Sequence, residues 1–484
     1  MLLIENFING SYCAPLDSTY LDNVNPATGI VISKIPRSNK KDIDLAVQSA
    51  QAAFPNWSAS SQESRFLILN KIAEGIESHL NELALAETND TGKAISHSRQ
   101  IDIPRAASNF RFFATAAMQF ASESHDMPKR AINYTLRQPI GIVGCISPWN
   151  LPLYLFTWKI APALATGNCV IAKPSELSPT TAFLLGKICK EAGLPDGVLN
   201  IIQGYGTEVG EAIIQHPDIK AISFTGGTKT GKHIATQVAS KFKKLSLELG
   251  GKNPCLVFAD CDYEQTLKQV VRLAFSNSGQ ICLCGSRILI EERIYEQFKK
   301  DFIAKVDKML PSDPLDPDCK MGSLISNEHL NKVLNYIELA KEEGGSILSG
   351  GTQIKLSGRC EGGSFIKPCV IEGLGPDCRT NMEEIFGPVV TLQSFKTDEQ
   401  ALELANCSQY GLASSIWTTN LNRAHRLAEQ IQTGIVWINC WLLRDLRTPF
   451  GGLNNSGVGR EGGYEAMRFF TEPKNICINY NSNL

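Results

Sequence analysis

From Gly141 onward, short apolar runs alternate with helix-forming stretches, and this alternation constrains the fold more than any other feature of the chain. The runs fall at 141–147 (GIVGCIS), 169–173 (CVIAK), 198–203 (VLNIIQ), 219–224 (IKAISF) and 244–249, inside KKLSLEL. Parallel neighbours in a sheet need a long crossover, and a helix supplies it, so strand and helix in turn predict a doubly wound parallel sheet. One of these helices, before Gly193, is expected to open with Ser178 as cap and Pro179 as first residue. Residues 254–440 repeat the logic. Strands are expected near 254–259, 287–292, 389–395, 412–418 and 435–440, with helices near 263–275, 293–309, 327–342 and 421–431. The fold class is α/β, with two such units.

Sheets of this kind bind ligands beyond the carboxyl ends of their strands. The first unit's unusual residues lie there: Pro148-Trp149-Asn150, Lys173-Pro174-Ser175-Glu176, Gly204-Tyr205-Gly206, Thr225-Gly226-Gly227-Thr228 and Glu248-Leu249-Gly250-Gly251. Singly, each has a plain reading. Asn150 fits a turn, Glu248 a buried acid paired with Lys252, and Lys173 with Glu176 a surface ion pair worth little. Five such ends together mark a rim built for a ligand. GGTKTGK, 226–232, fits a phosphate loop except that His233 stands where a magnesium-binding hydroxyl is required, and LSGGTQ, 348–353, lacks companion motifs. ATP hydrolysis is rejected on those grounds, while a helix opening after Gly227 could hold a pyrophosphate at its N-terminus.

The second unit carries the candidate nucleophile. Leu267, Val270, Val271, Ala274 and Phe275 form one stripe of an amphipathic helix, and Ser276 to Gly279 turn the chain towards Cys282 and Cys284. A thiol in such a turn is either a packed core residue or a reactive one whose pKa is depressed by nearby backbone N–H groups. Glu383 to Pro388 (EEIFGP) sets acid beside aromatic ahead of a strand. After the strand at 435–440, Arg444 and Arg447 flank Asp445; both could serve that acid, or one could be free to bind a carboxylate through its planar fork.

Ahead of the alternating region, residues 41–123 read as helices, one beginning near Ile103-Pro104-Arg105. Residues 131–137 and the run Ile476, Ile478, Tyr480 alternate like strands that could pair as a projecting arm inviting a neighbouring subunit. With 43% hydrophobic residues, 20% charged residues and a formal net charge of -2, nucleic acid and anionic membranes are poor partners. No apolar run reaches the ~20 residues of a membrane span. Fifteen scattered cysteines without a CxxC pair predict reduced thiols in the cytoplasm, and no metal site is expected.

SPWNLPL, AKPSE, FTGGT, LELGGK, GQIC, EEIFGP and PFGG, in this order, resemble the aldehyde dehydrogenase superfamily over nearly the whole chain. The resemblance implies a Rossmann-type NAD domain (1–123 and 141–252), a catalytic domain (253–450) and a small β oligomerisation arm (124–140 and 470–484). It implies Cys282 as nucleophile, Glu248 as base, and Asn150 with the Cys282 backbone N–H as oxyanion donors. Lys173 and Glu176 would hold the adenosine ribose, Gly226 and Gly227 the pyrophosphate, and Glu384 and Phe386 the nicotinamide side. Ile146, Trp149, Gly206, Gly210, Thr225 and Leu249 complete the implied cofactor surroundings. The family usually has Ser where Gly227 stands. A homodimer or homotetramer is implied, with the arm joined to the next subunit.

The chemistry suits these residues. An aldehyde has no leaving group, so a thiolate must add first; the oxyanion needs fixed donors, and the resulting thioester needs a base to hydrolyse it. A carboxylate at 176 accepts from ribose hydroxyls and repels a 2′-phosphate, favouring NAD over NADP. NCWLLRDLRTPFGG and IDIPRAASNFRFF resemble the branch acting on 2-aminomuconic and 2-hydroxymuconic semialdehydes. That resemblance assigns Arg105 and Arg444 to the substrate carboxylate, and Leu151, Trp158 and Phe450 are expected as apolar walls. The expected partner is a small acidic aldehyde.

Overall fold

In the computed structural model, which describes residues 1–480, the five apolar runs form the strands Ile142–Ile146, Cys169–Lys173, Leu199–Ile201, Ile219–Thr225 and Lys244–Glu248. They pair in parallel in the spatial order 244–248, 219–225, 142–146, 169–173, 199–201. The order reverses between 142–146 and 219–225, which is where doubly wound sheets open a crevice for a ligand. The central strands are buried along their whole length because helices cover both faces. Helix Pro152–Ala165 is apolar all round, and every one of its residues is buried. Helix Thr180–Glu191 corrects the expected cap. Pro179 itself holds the cap position and Ser178 Oγ has no partner, while Asp90 from helix Leu80–Thr91 accepts from the Thr180 N–H (2.8 Å) and hydroxyl (2.9 Å).

Short antiparallel strands finish the sheet. Asn6–Ile8 and Ser11–Cys13 extend one edge, and Gly457–Val458 pairs with Leu247 and Glu248 at the other. At Gly457, φ is +138° and a Cβ would lie 2.0 Å from the Leu247 carbonyl, so only glycine lets this strand lie against the Glu248 end.

The second sheet runs Ser346–Ser349, Cys369–Glu372, Val389–Phe395, Gly285–Glu291, Asn253–Val257, Ala413–Trp417, Ile435–Ile438. The last five are the strands expected from sequence. The first two were not, because glycine pairs at 344–345 and 350–351 disguise one and a proline precedes the other. Helices Tyr263–Phe275, Tyr295–Val306, Asn327–Glu342 and Leu421–Gln430 match the pattern; Asp398–Asn406 is additional. One apolar core runs from Phe7 through Phe156 and Ile222 to Ile288 and Trp437, so the two sheets share an interior.

The arm forms as the alternation implies. Ala131–Pro139 pairs antiparallel with Thr471–Asn479, Ile132 opposite Ile478 and Tyr134 opposite Ile476, and Ser124–Met127 adds a third strand. Residues 481–484, included in the expected arm, lie outside the described residues. No helix among the described residues is long and apolar enough to cross a membrane.

Candidate active site

Cys282 lies on a loop whose shape is dictated by three consecutive left-handed residues, Asn277 (φ 51°), Ser278 (φ 55°) and Gly279 (φ 71°). A Cβ on Gly279 would stand 2.1 Å from the Gly387 carbonyl, so the turn requires glycine. The carbonyls around the thiol are all claimed. Asn150 Nδ2 donates to Gln280 O (3.0 Å), Asn253 Nδ2 to Cys282 O (2.7 Å) and Cys284 O (2.9 Å), and Trp441 Nε1 to Leu283 O (3.0 Å). The loop is thereby fixed from three sides. The thiol itself departs from expectation: burial, reinforced by the carboxylates of Glu384 and Glu248, pushes its pKa up rather than down.

One cavity opens beside Cys282 at the sheet's switch point and brings together Trp149, Asn150, Thr225, Gly226, Gly227, Leu249, Glu384 and Phe386. A Cβ on Gly227 would meet nothing within 4 Å, and helix Thr228–Ala239 starts there with no side-chain cap, leaving its first N–H groups for a ligand. The Glu384 Oε1 accepts from the Gly251 N–H at 3.0 Å. Phe386 is no core residue; it sits at φ 61°, with its ring edge-on to Trp149 at 5.4 Å. His329 and Lys332, which the sequence did not single out, line the same cavity. His329 donates from Nε2 to Phe386 O (2.7 Å), and burial lowers its pKa to about 4, so it is neutral at pH 7. Lys173, Glu176, Gly206 and Gly210 lie farther along the rim, outside this cavity. Lys173 is buried, donating to Pro174 O (2.8 Å) and Glu176 Oε2 (3.0 Å), and the Cβ position of Gly210 is 4.0 Å from its Cδ. Ile146 is buried at the end of its strand.

Glu248 ends the strand Lys244–Glu248, buried, with neither carboxylate oxygen hydrogen-bonded by the protein. It does not pair with Lys252, which is buried beside Arg287 and Glu384 and has its pKa lowered to about 7 by burial. Beneath Glu248 lies a second buried pair: Lys159 Nζ donates to Glu461 Oε1 (2.6 Å) and Ser223 Oγ (3.1 Å). Burial first, then the Glu461 charge, raise the Glu248 pKa well above the usual carboxylate value; Lys159, Arg460 and Arg444 oppose. Lys159 and Glu461 are 302 residues apart, and neither lies in a sequence motif that would have flagged it.

A second cavity lies on the other side of the loop, between Ile281 and Leu283 and the helix Ile103–Met118. A π-helical turn, Ser98–Asp102, leads into that helix and carries Asp102 inward to Lys93 Nζ (2.6 Å); the same ammonium bonds Glu87 Oε1 (3.0 Å) and the Asn150 carbonyl (2.9 Å). Three residues beyond Asp102, Arg105 reaches the cavity with its guanidinium 5.5 Å from the Tyr154 ring. The loop arginines separate as one of the two expected ways. Arg447 takes both oxygens of Asp445, whereas Arg444 turns inward, over Phe450 (4.0 Å) and Trp158 (4.5 Å), and donates to the Tyr154 hydroxyl. Leu151 lines the cavity as expected, with Tyr154, Ile281, Leu283 and Leu442. Trp158 and Phe450 stand behind Arg444 and outside that lining, so they form its support rather than the wall.

The profile of the aldehyde dehydrogenase family matches residues 14–476. The chain belongs to that family. Among characterised relatives, the family member is 47% identical over 483 residues to 2-aminomuconic semialdehyde dehydrogenase of Mus musculus, across 99% of each chain. It is 44% identical over 481 residues to 2-hydroxymuconic semialdehyde dehydrogenase of Pseudomonas sp. (strain CF600), across 98% of this chain and 99% of that one. The solved structure of betaine aldehyde dehydrogenase from Staphylococcus aureus in complex with NAD+ superimposes with a TM-score of 0.96 at 37% identity, covering 100% of this chain and 96% of that one.

Proposed function

We propose that this aldehyde dehydrogenase oxidises a semialdehyde bearing a carboxylate, of the 2-aminomuconic or 2-hydroxymuconic type, to the corresponding diacid. The observation that carries the substrate class is the pair Arg105 and Arg444. Both face one cavity beside Cys282, and among the described residues neither has a carboxylate partner. The one acid on that lining, Asp102, is engaged by Lys93 and His97. Half-buried guanidinium groups without counter-ions are costly unless a ligand brings the anion. The betaine aldehyde alternative carries a cation, which this lining would repel.

NAD is the cofactor, and the open approach at Gly227 with the uncapped helix behind it fits a dinucleotide pyrophosphate. When bound, it accepts the two electrons and the hydrogen lost by the aldehyde carbon. In this reading Cys282 Sγ adds to the carbonyl carbon, and the resulting oxyanion takes the free N–H of the Asn150 amide and the backbone N–H of Cys282. Because the thiol pKa is raised, the added sulfur must pass its proton to a base as the bond forms. Oxidation leaves a thioester on Cys282. Glu248, whose raised pKa makes it a stronger base than an exposed carboxylate, takes a proton from water as the water oxygen attacks the thioester carbon and the C–S bond breaks.

The same reading places residues 1–123 and 141–252 in the NAD-binding domain, 253–450 in the catalytic domain, and 124–140 with 470–484 in an arm that joins a second copy. The open outer edge of strand Thr471–Asn479 supports the last assignment, and light scattering tests for a dimer or tetramer. Fifteen unpaired cysteines favour a reducing compartment, the cytoplasm. The decisive experiment is an aldehyde panel followed by NADH absorbance. The highest kcat/KM should go to 2-hydroxymuconic or 2-aminomuconic semialdehyde; an equal or higher value for betaine aldehyde or hexanal would sink the proposal.

A further inference from the structure

The cavity with Arg105 and Arg444 has a third guanidinium on its lining, Arg272. It sits on helix Tyr263–Phe275, the helix that leads into the Cys282 loop. No sequence motif marks it; the stripe that identifies the helix runs through its apolar neighbours. Arg444 and Arg105 are half-buried, whereas Arg272 is exposed, so the three cations descend from solvent into the cavity. Arg272 is also held in place. Its guanidinium lies 5.5 Å from the Trp441 ring and donates from Nη1 to Gln269 Oε1 (3.3 Å), and Trp441 is itself anchored to the Leu283 carbonyl. Among the described residues it has no acidic partner, and it feels the charge of Arg105, which adds to burial in lowering its pKa. A surface arginine left to itself would extend into water or find a carboxylate; this one is stacked at the cavity mouth beside another cation.

We infer that Arg272 is an entrance residue for the substrate's carboxylate, a specificity-determining cation that captures the anionic end of the aldehyde and passes it inward to Arg105 and Arg444. The inference deepens the acidic-semialdehyde reading and rests on it. Arg272 acts as a charge near water rather than as a desolvated ion pair. Its contribution falls with salt, since the screening length shrinks from about 10 Å at 0.1 M to about 3 Å at 1 M. The orientation of the carboxylate at the chemical step belongs to the inner pair, so Arg272 affects KM and leaves kcat alone.

The test compares wild type, R272Q and R272K with 2-hydroxymuconic semialdehyde and with hexanal, at low and high ionic strength. The expected result for R272Q at low salt is a KM for the acidic aldehyde raised about fivefold, as loss of one screened charge contact implies. That rise should shrink towards wild type at high salt, with kcat for both aldehydes and the KM for hexanal unchanged. R272K should keep most of the wild-type KM. An unchanged KM in R272Q, a loss that salt does not diminish, an equal loss with hexanal, or an R272K that behaves like R272Q would each overturn the inference. Those outcomes leave the functional reading intact when wild type prefers the acidic aldehyde; a wild type without that preference overturns both.

Discussion

On one side of the Cys282 loop the walls come largely from peptide backbone and glycine, at Gly226, Gly227 and Gly250, with Glu384 the acid among them. On the other side they come from long side chains, Arg105, Arg272, Arg444 and Tyr154, reaching in from separate segments. The first cavity is shaped to let a ligand approach the main chain closely and presents helix N–H groups. The second concentrates positive charge and supports it with aromatic faces. The division means that affinity for the cofactor and affinity for the aldehyde are separable properties of this molecule, meeting only at the sulfur.

The sharpest way to break that picture is at the meeting point. C282S should lose at least ~10⁴-fold in kcat with either aldehyde class while still binding NAD, measured by NADH production and by quenching of tryptophan fluorescence. E248Q comes next. Its steady-state rate should fall ~10²-fold with a burst of NADH, because the thioester forms but is hydrolysed slowly. In wild type the ionised form is the base, so kcat should climb as pH rises through the raised Glu248 pKa, and E248Q should lose that limb. The sign for stability is opposite. A raised carboxylate pKa favours the protonated native state, so that stabilisation is present below the ordinary Glu value and is lost as pH rises through the native one. E248Q should therefore melt no lower than wild type at pH 8.

R444A tests one cavity alone. Removing a charge-assisted contact costs about 2 kcal/mol, a rise of ~30-fold in KM for an acidic semialdehyde, with the KM for hexanal and for NAD unaltered. E176Q is the smallest and the mirror image. The KM for NAD should rise about fivefold, NADP should become relatively better, and the aldehyde KM should not move. Cross-talk in either variant, R444A on NAD or E176Q on the aldehyde, would show that the two sides are not independent.

The same contrast explains what could be read in the sequence. The cofactor-side rim was legible because each strand delivers its special residues directly after itself, as in Thr225-Gly226-Gly227 or Glu248-Leu249-Gly250, and because sheet topology says where strand ends meet. The arm was legible because Ala131–Pro139 and Thr471–Asn479 both alternate. Arg105 and Arg444 came from resemblance; their surroundings did not show that Arg447, and not Arg444, would take Asp445. Lys93, Lys159, Glu461 and Arg272 stayed hidden because their meaning arises from neighbours distant in sequence, such as Glu461 for Lys159. The expected low thiol pKa failed for a related reason. Local N–H groups are visible in a motif, but burial and the Glu384 and Glu248 charges are not.

The π-helical turn Ser98–Asp102 has a consequence for how this chain could change its diet. A turn of that kind holds one residue more than a regular α-helical turn. Deleting a single residue there would rewind it to regular geometry and swing everything downstream by about 100° around the helix axis. Arg105 would then leave the cavity and Pro104 or Ala106 would take its bearing, with the rest of the interior left in place. A one-residue deletion, rather than a series of point changes, is thus the shortest route from an acid-selecting pocket to one open to neutral aldehydes.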